Sequence, residues 1–144
     1  MRGVVLAGGT GSRLHPLTAC MNKHLLPVFD KPMIFYPIET LRKAKIRDIL
    51  IILGGQSIET IIRFLGDGSR FGINLTYRFQ ERPGGIAEAV ALAEDFTRGE
   101  KFAVILGDNI LLDDVSEVAA NFEACELKAV FSLKRVPDPG RFGA

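Results

Sequence analysis

The sequence predicts an α/β sandwich with a largely parallel β-sheet. Apolar segments of strand length alternate along the chain with segments whose apolar residues recur at helical spacing. Two of the strand-like segments are almost continuously apolar, which is typical of parallel strands that are buried on both faces. The chain has 144 residues, 47% of them hydrophobic, and this suits a single domain with a sizeable core.

The predicted strands share short runs of apolar and β-branched residues. In chain order they are residues 2–7, 48–53, 74–80, 101–107 and 128–136. The second and the fourth of these segments have the continuous apolar character described above. The alternation therefore begins and ends on a strand.

The predicted helices lie between these strands, at residues 32–45, 57–68, 85–96 and 113–124. The first starts with a proline, which suits a first helical turn, and Pro37 should lie near its N-terminal part or cause a local kink. In the second helix, Ser57 is a candidate N-cap. Gly66 is a candidate C-terminal stop for the same helix.

Charge and cysteine content limit the classes of function. The net charge is +1, so no global attraction to nucleic acid or to an anionic membrane is expected. Cys20 and Cys125 are far apart and lack the spacing of metal ligands, and no secretory signal is apparent. We therefore expect reduced thiols and a cytoplasmic protein. His15 and His24 have no partners at metal-ligand spacing and are interpreted as structural or surface residues.

Glycine or polar residues follow four of the predicted strands. These stretches are residues 8–11, 54–56, 80–82 and 107–109. Ligands of open parallel sheets bind beyond the carboxyl ends of the strands. The sequence therefore predicts a binding site where these four stretches meet.

The loop after the first strand contains Gly8, Gly9 and Gly11. Backbone N–H groups without obstructing side chains can surround phosphate oxygens. The loop is not a Walker A motif, because the sequence contains no G-x-x-x-x-G-K-[ST]. It is not a dinucleotide fingerprint either, because Leu14 stands where the third glycine would be required. A tight turn without a ligand is the alternative interpretation.

Three charged residues near the predicted strand ends are candidates for phosphate and metal binding. Arg13 and Lys23 offer fixed positive charge, and the alternative for each is a solvated surface side chain. Asp108 follows a buried strand and could hold a hard cation such as Mg²⁺, which binds through one or two carboxylates and substrate phosphates. An Asx turn or helix cap explains Asp108 equally well.

Gln80 and Gly85 are candidates for contact with a nucleobase. A glutamine amide can hydrogen-bond a base edge, and a glycine lets the base approach the backbone. The alternative interpretation is a solvated loop that leads into a helix.

Taken together, five segments of the chain resemble the sugar-1-phosphate nucleotidyltransferases, most closely the glucose-1-phosphate thymidylyltransferases. The resemblance runs from the first residue to the last. Its segments are "LAGGTGSRLHPLT", "NKHLLPVFDKPMIFYPIETL", "LGDGSRFGINLTY", "QERPGGIAEA" and "LGDN".

This resemblance implies a Rossmann-like three-layer sandwich of the nucleotide-diphospho-sugar transferase type. It also implies transfer of a nucleotidyl group from dTTP or UTP to a sugar 1-phosphate, expected to be glucose 1-phosphate, with Mg²⁺ as cofactor and pyrophosphate as the second product. A homo-oligomer is expected, with neither nucleic acid nor membrane as a partner. The catalytic residues implied are Arg13, Lys23 and Asp108, of which Asp108 is the metal ligand. The nucleotide-binding residues implied are Leu6, Gly8, Gly9, Thr10, Gly11, Ser12, Arg13, Lys23, Gln80, Pro83 and Gly85.

The length of the chain departs from the family pattern. Family members are considerably longer, and their later half carries the sugar pocket, a further lysine and a second aspartate for the metal. We therefore expect residues 1–144 to be the nucleotide-binding half of a truncated domain, without the sugar-binding half and with weak or no activity. Uncovered sheet edge or apolar surface should then favour self-association or low solubility.

Two other classes of function fit part of the sequence. One is a non-catalytic nucleotide-binding or regulatory module. The other is a fragment of a GT-A-like glycosyltransferase, although "GDN" at residues 107–109 lacks the second carboxylate of an Asp-x-Asp metal motif. The charged residues beside Gln80 leave the choice between dTTP and UTP open.

Overall fold

A four-stranded parallel sheet forms the centre of the protein in a computed structural model that describes residues 1–9, 11–82 and 84–137. The strands are β1 (Arg2–Ala7), β2 (Pro27–Val28), β3 (Lys31–Pro32), β4 (Asp48–Leu53), β5 (Asn74–Phe79) and β6 (Phe102–Leu106). The central sheet has the order β5-β4-β1-β6, and all of its neighbouring strands are parallel. Strands β2 and β3 form a separate antiparallel pair.

Helices cover both faces of the sheet, as the sandwich prediction requires. They are α1 (Phe35–Lys43), α2 (Ile58–Leu65), α3 (Gly85–Ala91), α4 (Glu94–Thr97) and α5 (Ser116–Ala124). None of the helices in the described part of the chain is both long enough and apolar enough to cross a membrane.

The core has two layers, because alternate residues of the central strands point to opposite faces of the sheet. Val5 and Ile51 pack in one layer with Ile38 of α1 and Ile61 of α2. The other layer contains Val4, Leu50 and Ile52 of the strands together with Ala89 and Ala93 near α3. The predicted α/β sandwich is therefore confirmed.

All four predicted helices differ from the observed ones, and the last, predicted at 113–124, begins only at Ser116. The first helix begins at Phe35, because the residues before it form the β2–β3 pair, and Pro37 lies in its first turn as predicted. Ser57 precedes α2 but its side chain makes no capping hydrogen bond, so the predicted cap is wrong, whereas Gly66 ends this helix with φ of 64° as predicted. The predicted helix 85–96 is divided into α3 and α4.

The predicted strand at residues 128–136 is wrong, because none of its described residues joins a sheet. A strand requires backbone partners on a neighbouring strand, and the described sheet ends at β6. Phe131 and Leu133 are instead 80% and 92% exposed. Between β6, α5 and this segment lies a mainly apolar groove of about 820 Å³. Apolar surface is thus uncovered at this edge, and the expected self-association stays a prediction.

Candidate functional site

The loops that follow β1, β4 and β5 meet at the carboxyl edge of the sheet. A Cβ atom added to Gly54 would lie 2.9 Å from Cα of Gly8, so the loops after β4 and β1 touch through bare backbone. A Cβ added to Gly8 would lie 2.8 Å from Oε1 of Gln80, which follows β5. The predicted convergence of these strand ends is therefore observed.

The glycine loop lies directly against the side chain of Lys23. A Cβ on Gly9 would lie 3.1 Å from Nζ of Lys23. Gly11 has φ of 69°, and a Cβ there would lie 2.8 Å from Cγ2 of Thr18 and 2.9 Å from Cβ of Lys23. The loop thus needs glycine both for its turn and for the approach of a cation.

Lys23 reaches across the site to Asp108, which follows β6. Its Nζ donates a hydrogen bond to Oδ2 of Asp108 at 2.6 Å, and the side chains are 16% and 38% exposed, respectively. Partial burial of the Asp108 carboxyl favours a raised pKa, but the hydrogen bond and positive charge of Lys23 outweigh it, so the pKa of Asp108 lies below its usual value. The two charges that the sequence singled out are therefore in direct contact.

Arg13 lies on the exposed side of this loop, in a short 3₁₀ helix at Ser12–Leu14. Within the described residues, its guanidinium makes no hydrogen bond or ion pair. The structure therefore brings Lys23 and Asp108 together but leaves Arg13 and Ser12 on the rim.

Asn22 and His24 hold the turn that carries Lys23, and the sequence analysis missed the role of Asn22. Asn22 is 4% exposed, and its Nδ2 donates to the backbone oxygens of Gly54 at 3.3 Å and Gln56 at 2.9 Å. Its Oδ1 accepts from the backbone N–H of His24 at 3.1 Å and lies 2.7 Å from His24 Nδ1. This polar network links the loop after β4 to the base of Lys23. The sequence signal for this network was a polar residue directly before and directly after the candidate lysine.

His24 is a structural residue, which is one of the two roles that the sequence predicted for it. It is 1% exposed, and because Oδ1 of Asn22 can only accept, Nδ1 of His24 carries the proton in the neutral ring. Burial, assisted by the positive charge of Lys23 and opposed by Asp108, lowers the pKa of His24 to about 4. A neutral imidazole therefore lies beneath the site.

Gln80 lies opposite Lys23 across the glycine loop. Its Nε2 donates to Oε1 of Glu88 at 3.1 Å and to the backbone oxygen of Gly85 at 3.4 Å. Gly85 begins α3 with φ of 89° and is exposed. The structure thus joins Gln80 to Gly85, the two residues predicted to contact a base.

The remaining predicted site residues contribute differently. Leu6 is 8% exposed and belongs to the core, and its carbonyl accepts a hydrogen bond from the N–H of Gly107. Thr10 and Pro83 lie outside the described residues. In the ranges that the structure describes, no group of three or more histidine, cysteine, aspartate or glutamate side chains is placed to hold a metal ion.

A small cavity opens beside the glycine loop and the turn that carries Lys23. Its volume is about 340 Å³. Its walls come from the loops after β1 and β4 and from the turn that precedes Lys23; they are Gly9, Thr18, Ala19, Asn22, Gly55 and Gln56. The bare backbone at this edge is therefore open to an incoming group.

The sequence matches the nucleotidyl transferase family profile over residues 2–144. A glucose-1-phosphate thymidylyltransferase from Mycolicibacterium smegmatis is 51% identical over 99% of this chain and 50% of the relative. The solved structure of a Bacillus anthracis protein assigned as a glucose-1-phosphate thymidylyltransferase superposes with a TM-score of 0.84, at 47% identity, over 88% of this chain and 51% of that protein. The UDP-glucose pyrophosphorylase from Acinetobacter baumanii shares the fold at 22% identity with a TM-score of 0.71, over 85% of this chain and 52% of that one. The chain spans about half the length of the curated relatives it matches.

Proposed function

Because this chain belongs to the nucleotidyl transferase family, we propose that it forms the nucleotide-binding half of an enzyme that joins a nucleoside triphosphate to a sugar 1-phosphate. The triphosphate is dTTP or UTP, the acceptor is glucose 1-phosphate, and pyrophosphate leaves. The sugar-binding half is not among residues 1–144 in this proposal.

The contact between Lys23 and Asp108 beside the glycine loop carries this proposal. It joins a phosphate-binding cation to a metal-binding carboxylate at the edge of the sheet where ligands bind. A structural ion pair would not need to lie over the unobstructed backbone of Gly9. A triphosphate on this loop would meet backbone N–H groups and the ammonium of Lys23 at once.

The reaction requires positioning and charge stabilisation and no covalent intermediate on the protein. An oxygen of the sugar 1-phosphate attacks the α-phosphorus in line, the bond to the β-phosphate oxygen breaks, and pyrophosphate carries away the negative charge. A unit charge pair at 4 Å is worth about 1 kcal/mol in water and about 4 kcal/mol at an effective dielectric of 20. Lys23, which is 16% exposed on its side chain, lies in surroundings closer to the second case. Arg13 can swing from the rim to add a second positive charge.

The residues present fit Mg²⁺ as a cofactor through Asp108. Magnesium binds through one or two carboxylates together with substrate phosphates and water, so one carboxylate can suffice from this part of the protein. The ion would neutralise charge on the phosphates during transfer. With the ion bound, Asp108 would contact it instead of Lys23, and Lys23 would be free to contact phosphate.

A non-catalytic nucleotide-binding module is the second candidate. The observation that favours it is that, among the described residues, Asp108 belongs to no group of three or more histidine, cysteine, aspartate or glutamate side chains that could hold a metal ion. We further propose a cytoplasmic location, consistent with the free thiols of Cys20 and Cys125, and a homo-oligomeric assembly of the whole protein.

The decisive assay combines dTTP, glucose 1-phosphate and Mg²⁺ with this chain and measures pyrophosphate. We expect binding of dTTP with little or no turnover, and turnover of about 1 s⁻¹ or more would show that the chain alone is a competent enzyme. Absence of dTTP binding would contradict the proposed function.

Lys23→Ala tests the phosphate role in the same binding assay. We expect a loss of tenfold or more in affinity for dTTP, from about 1.4 kcal/mol or more of lost charge interaction, with little change for thymidine. Lys43→Ala is the matched control, because Lys43 is an exposed lysine at the C-terminal end of α1. Equal losses for dTTP and thymidine would mean that Lys23 is structural.

A further inference from the structure

The orientation of the Gln80 side-chain amide is fixed by its neighbours. The amide nitrogen faces a carboxylate oxygen of Glu88 at 3.1 Å and the carbonyl oxygen of Gly85 at 3.4 Å. Both oxygens can only accept, so the NH₂ end of the amide must face them. The reverse orientation would place three oxygens together without a proton between them.

The opposite end of this amide faces the glycine loop. A Cβ on Gly8 would lie 2.8 Å from Oε1 of Gln80, so this oxygen lies against the Cα of Gly8. Within the described residues, Oε1 of Gln80 accepts no hydrogen bond. Its lone pairs are therefore available to a ligand that enters beside the loop.

The exposed side chain of Glu88 lies between Gly84 and Gln80. Glu88 is in the first turn of α3, and its Oε2 occupies the space that a Cβ on Gly84 would need. The carboxylate of Glu88 therefore lies against the bare Cα of Gly84 while its other oxygen binds Gln80. Gly84 thus contacts the carboxylate of Glu88, this carboxylate binds the amide of Gln80, and the amide presents its oxygen as a hydrogen-bond acceptor.

We propose that Glu88 is a positioning residue that sets the base preference of the site by holding Gln80 with its oxygen toward the base. This inference rests on the proposed function, since it requires a nucleotide at this edge of the sheet. Uracil and thymine carry a hydrogen on N3 and can donate it to Oε1 of Gln80. Cytosine has an unprotonated acceptor at N3, so two lone pairs would face each other. The Glu88–Gln80 pair thus selects keto pyrimidines against cytosine.

Removal of the Glu88 carboxylate should weaken the preference of the site for keto pyrimidines over cytosine. The Gln80 amide can then turn by half a rotation about its last bond and present NH₂ to N3 of cytosine. One mismatched hydrogen bond at a partly exposed site corresponds to about a tenfold difference in affinity. We expect the preference of the intact chain for keto pyrimidines to be of this size and to fall several-fold without Glu88.

The test is a titration of this chain with dUTP and dCTP, which differ only at the base edge, and with N3-methyl-dUTP, which lacks the N3 hydrogen. The intact chain should bind dUTP about tenfold more tightly than either of the other two. Glu88→Ala should reduce the ratio of dUTP to dCTP affinity several-fold, chiefly through tighter binding of dCTP. Circular dichroism of each variant shows that it is folded.

Glu81→Gln is the matched control, because Glu81 is an exposed acid next to Gln80 in sequence and makes no hydrogen bond to its amide. Loss of a negative charge near a triphosphate raises the affinity for every nucleotide alike. Only the ratio of dUTP to dCTP affinity therefore reports the orientation of the Gln80 amide. An unchanged ratio in Glu88→Ala, or equal binding of dUTP and N3-methyl-dUTP by the intact chain, would overturn this inference and leave the proposed function standing. Absence of binding by all three nucleotides would overturn the proposed function and the inference with it.

Discussion

Protonation of His24 should destabilise the fold as the pH falls below neutrality. His24 has a pKa of 6.5 as its unperturbed value and about 4 in the folded protein, because it is buried and lies near the positive charge of Lys23. The unfolded chain therefore binds the proton more readily, and stability is lost from pH 6.5 down to about pH 4. Asp108 is the charged group that opposes this shift.

The size of this loss follows from the two pKa values. Integration of the proton-binding difference gives a loss of about 2.5 kcal/mol at pH 4.5 relative to pH 7.5, and about 3 kcal/mol at pH 4. A typical domain has about 5–15 kcal/mol of total stability, so the effect is large enough to measure. The main cause is burial of the ring, and because Nδ1 of His24 already faces Asn22, the added proton would go to the second ring nitrogen beside Gly107.

Urea denaturation followed by circular dichroism between pH 7.5 and 4.5 measures this effect, with EDTA present throughout. His24→Asn is the comparison variant, since its amide nitrogen can still donate to Oδ1 of Asn22 but does not titrate. The intact chain should lose about 2.5 kcal/mol more than the variant across this range, after their different stabilities at pH 7.5 are subtracted. Parallel losses in the two proteins, or an NMR titration of His24 near pH 6.5, would contradict this prediction.

Two further substitutions test other contacts of the site. Asp108→Asn removes the carboxylate that holds Lys23, so its affinity for dTTP in EDTA should be several-fold higher than that of the intact chain. Mg²⁺ should raise the dTTP affinity of the intact chain but not that of the variant. An equal effect of Mg²⁺ on both proteins in calorimetric titrations would contradict the proposed role of Asp108. Gly54→Ala places a methyl group 2.9 Å from Cα of Gly8 and 3.0 Å from its oxygen, and because backbone cannot move aside, urea denaturation should show a loss of about 1–3 kcal/mol. Gly55→Ala is the control, because no atom lies within 4 Å of the added methyl group; its φ of 76° adds only backbone strain. Equal losses of unfolding free energy in the two variants would show that the close contact with Gly8 is not the cause.

The central sheet could be predicted because burial on both faces leaves a clear pattern in the sequence. Strand β4 is apolar at nearly every position, and the structure buries it between two layers of helices. The other almost continuously apolar segment, β6, ends the described sheet and leaves Val104 42% exposed, so its predicted burial on both faces is wrong. The β2–β3 pair was missed because each of its strands has two residues, too few for any periodicity, and Pro32 resembled a helix start. The segment 128–136 shows the opposite error, since an apolar pattern becomes a strand only where another strand pairs with it.

The general location of the site could also be predicted, but its contacts could not. Parallel strands bring their carboxyl ends together, and this alone places the glycine loop, Gln80 and Asp108 at one edge. Lys23 and Asp108 are 85 residues apart, and no local pattern shows that their side chains meet. The bond between Gln80 and Glu88 depends in the same way on the angle at which α3 leaves the loop after β5. Such contacts are products of tertiary geometry, which spacing along the chain does not encode directly.

The ion pair between Lys23 and Asp108 is a contact that a nucleotide can break at low cost. Its carboxylate side chain is 38% exposed, and ion pairs open to solvent contribute about 0–1 kcal/mol. A triphosphate carries more negative charge than one carboxylate, so at the same effective dielectric its attraction for Lys23 is larger. The pair therefore holds both charged groups in position while the site is open, and it would open if a triphosphate and a divalent ion offered each of them a more strongly charged partner. Asn22 keeps the backbone of this turn fixed during the exchange, so the rearrangement can be limited to the flexible side chain of Lys23.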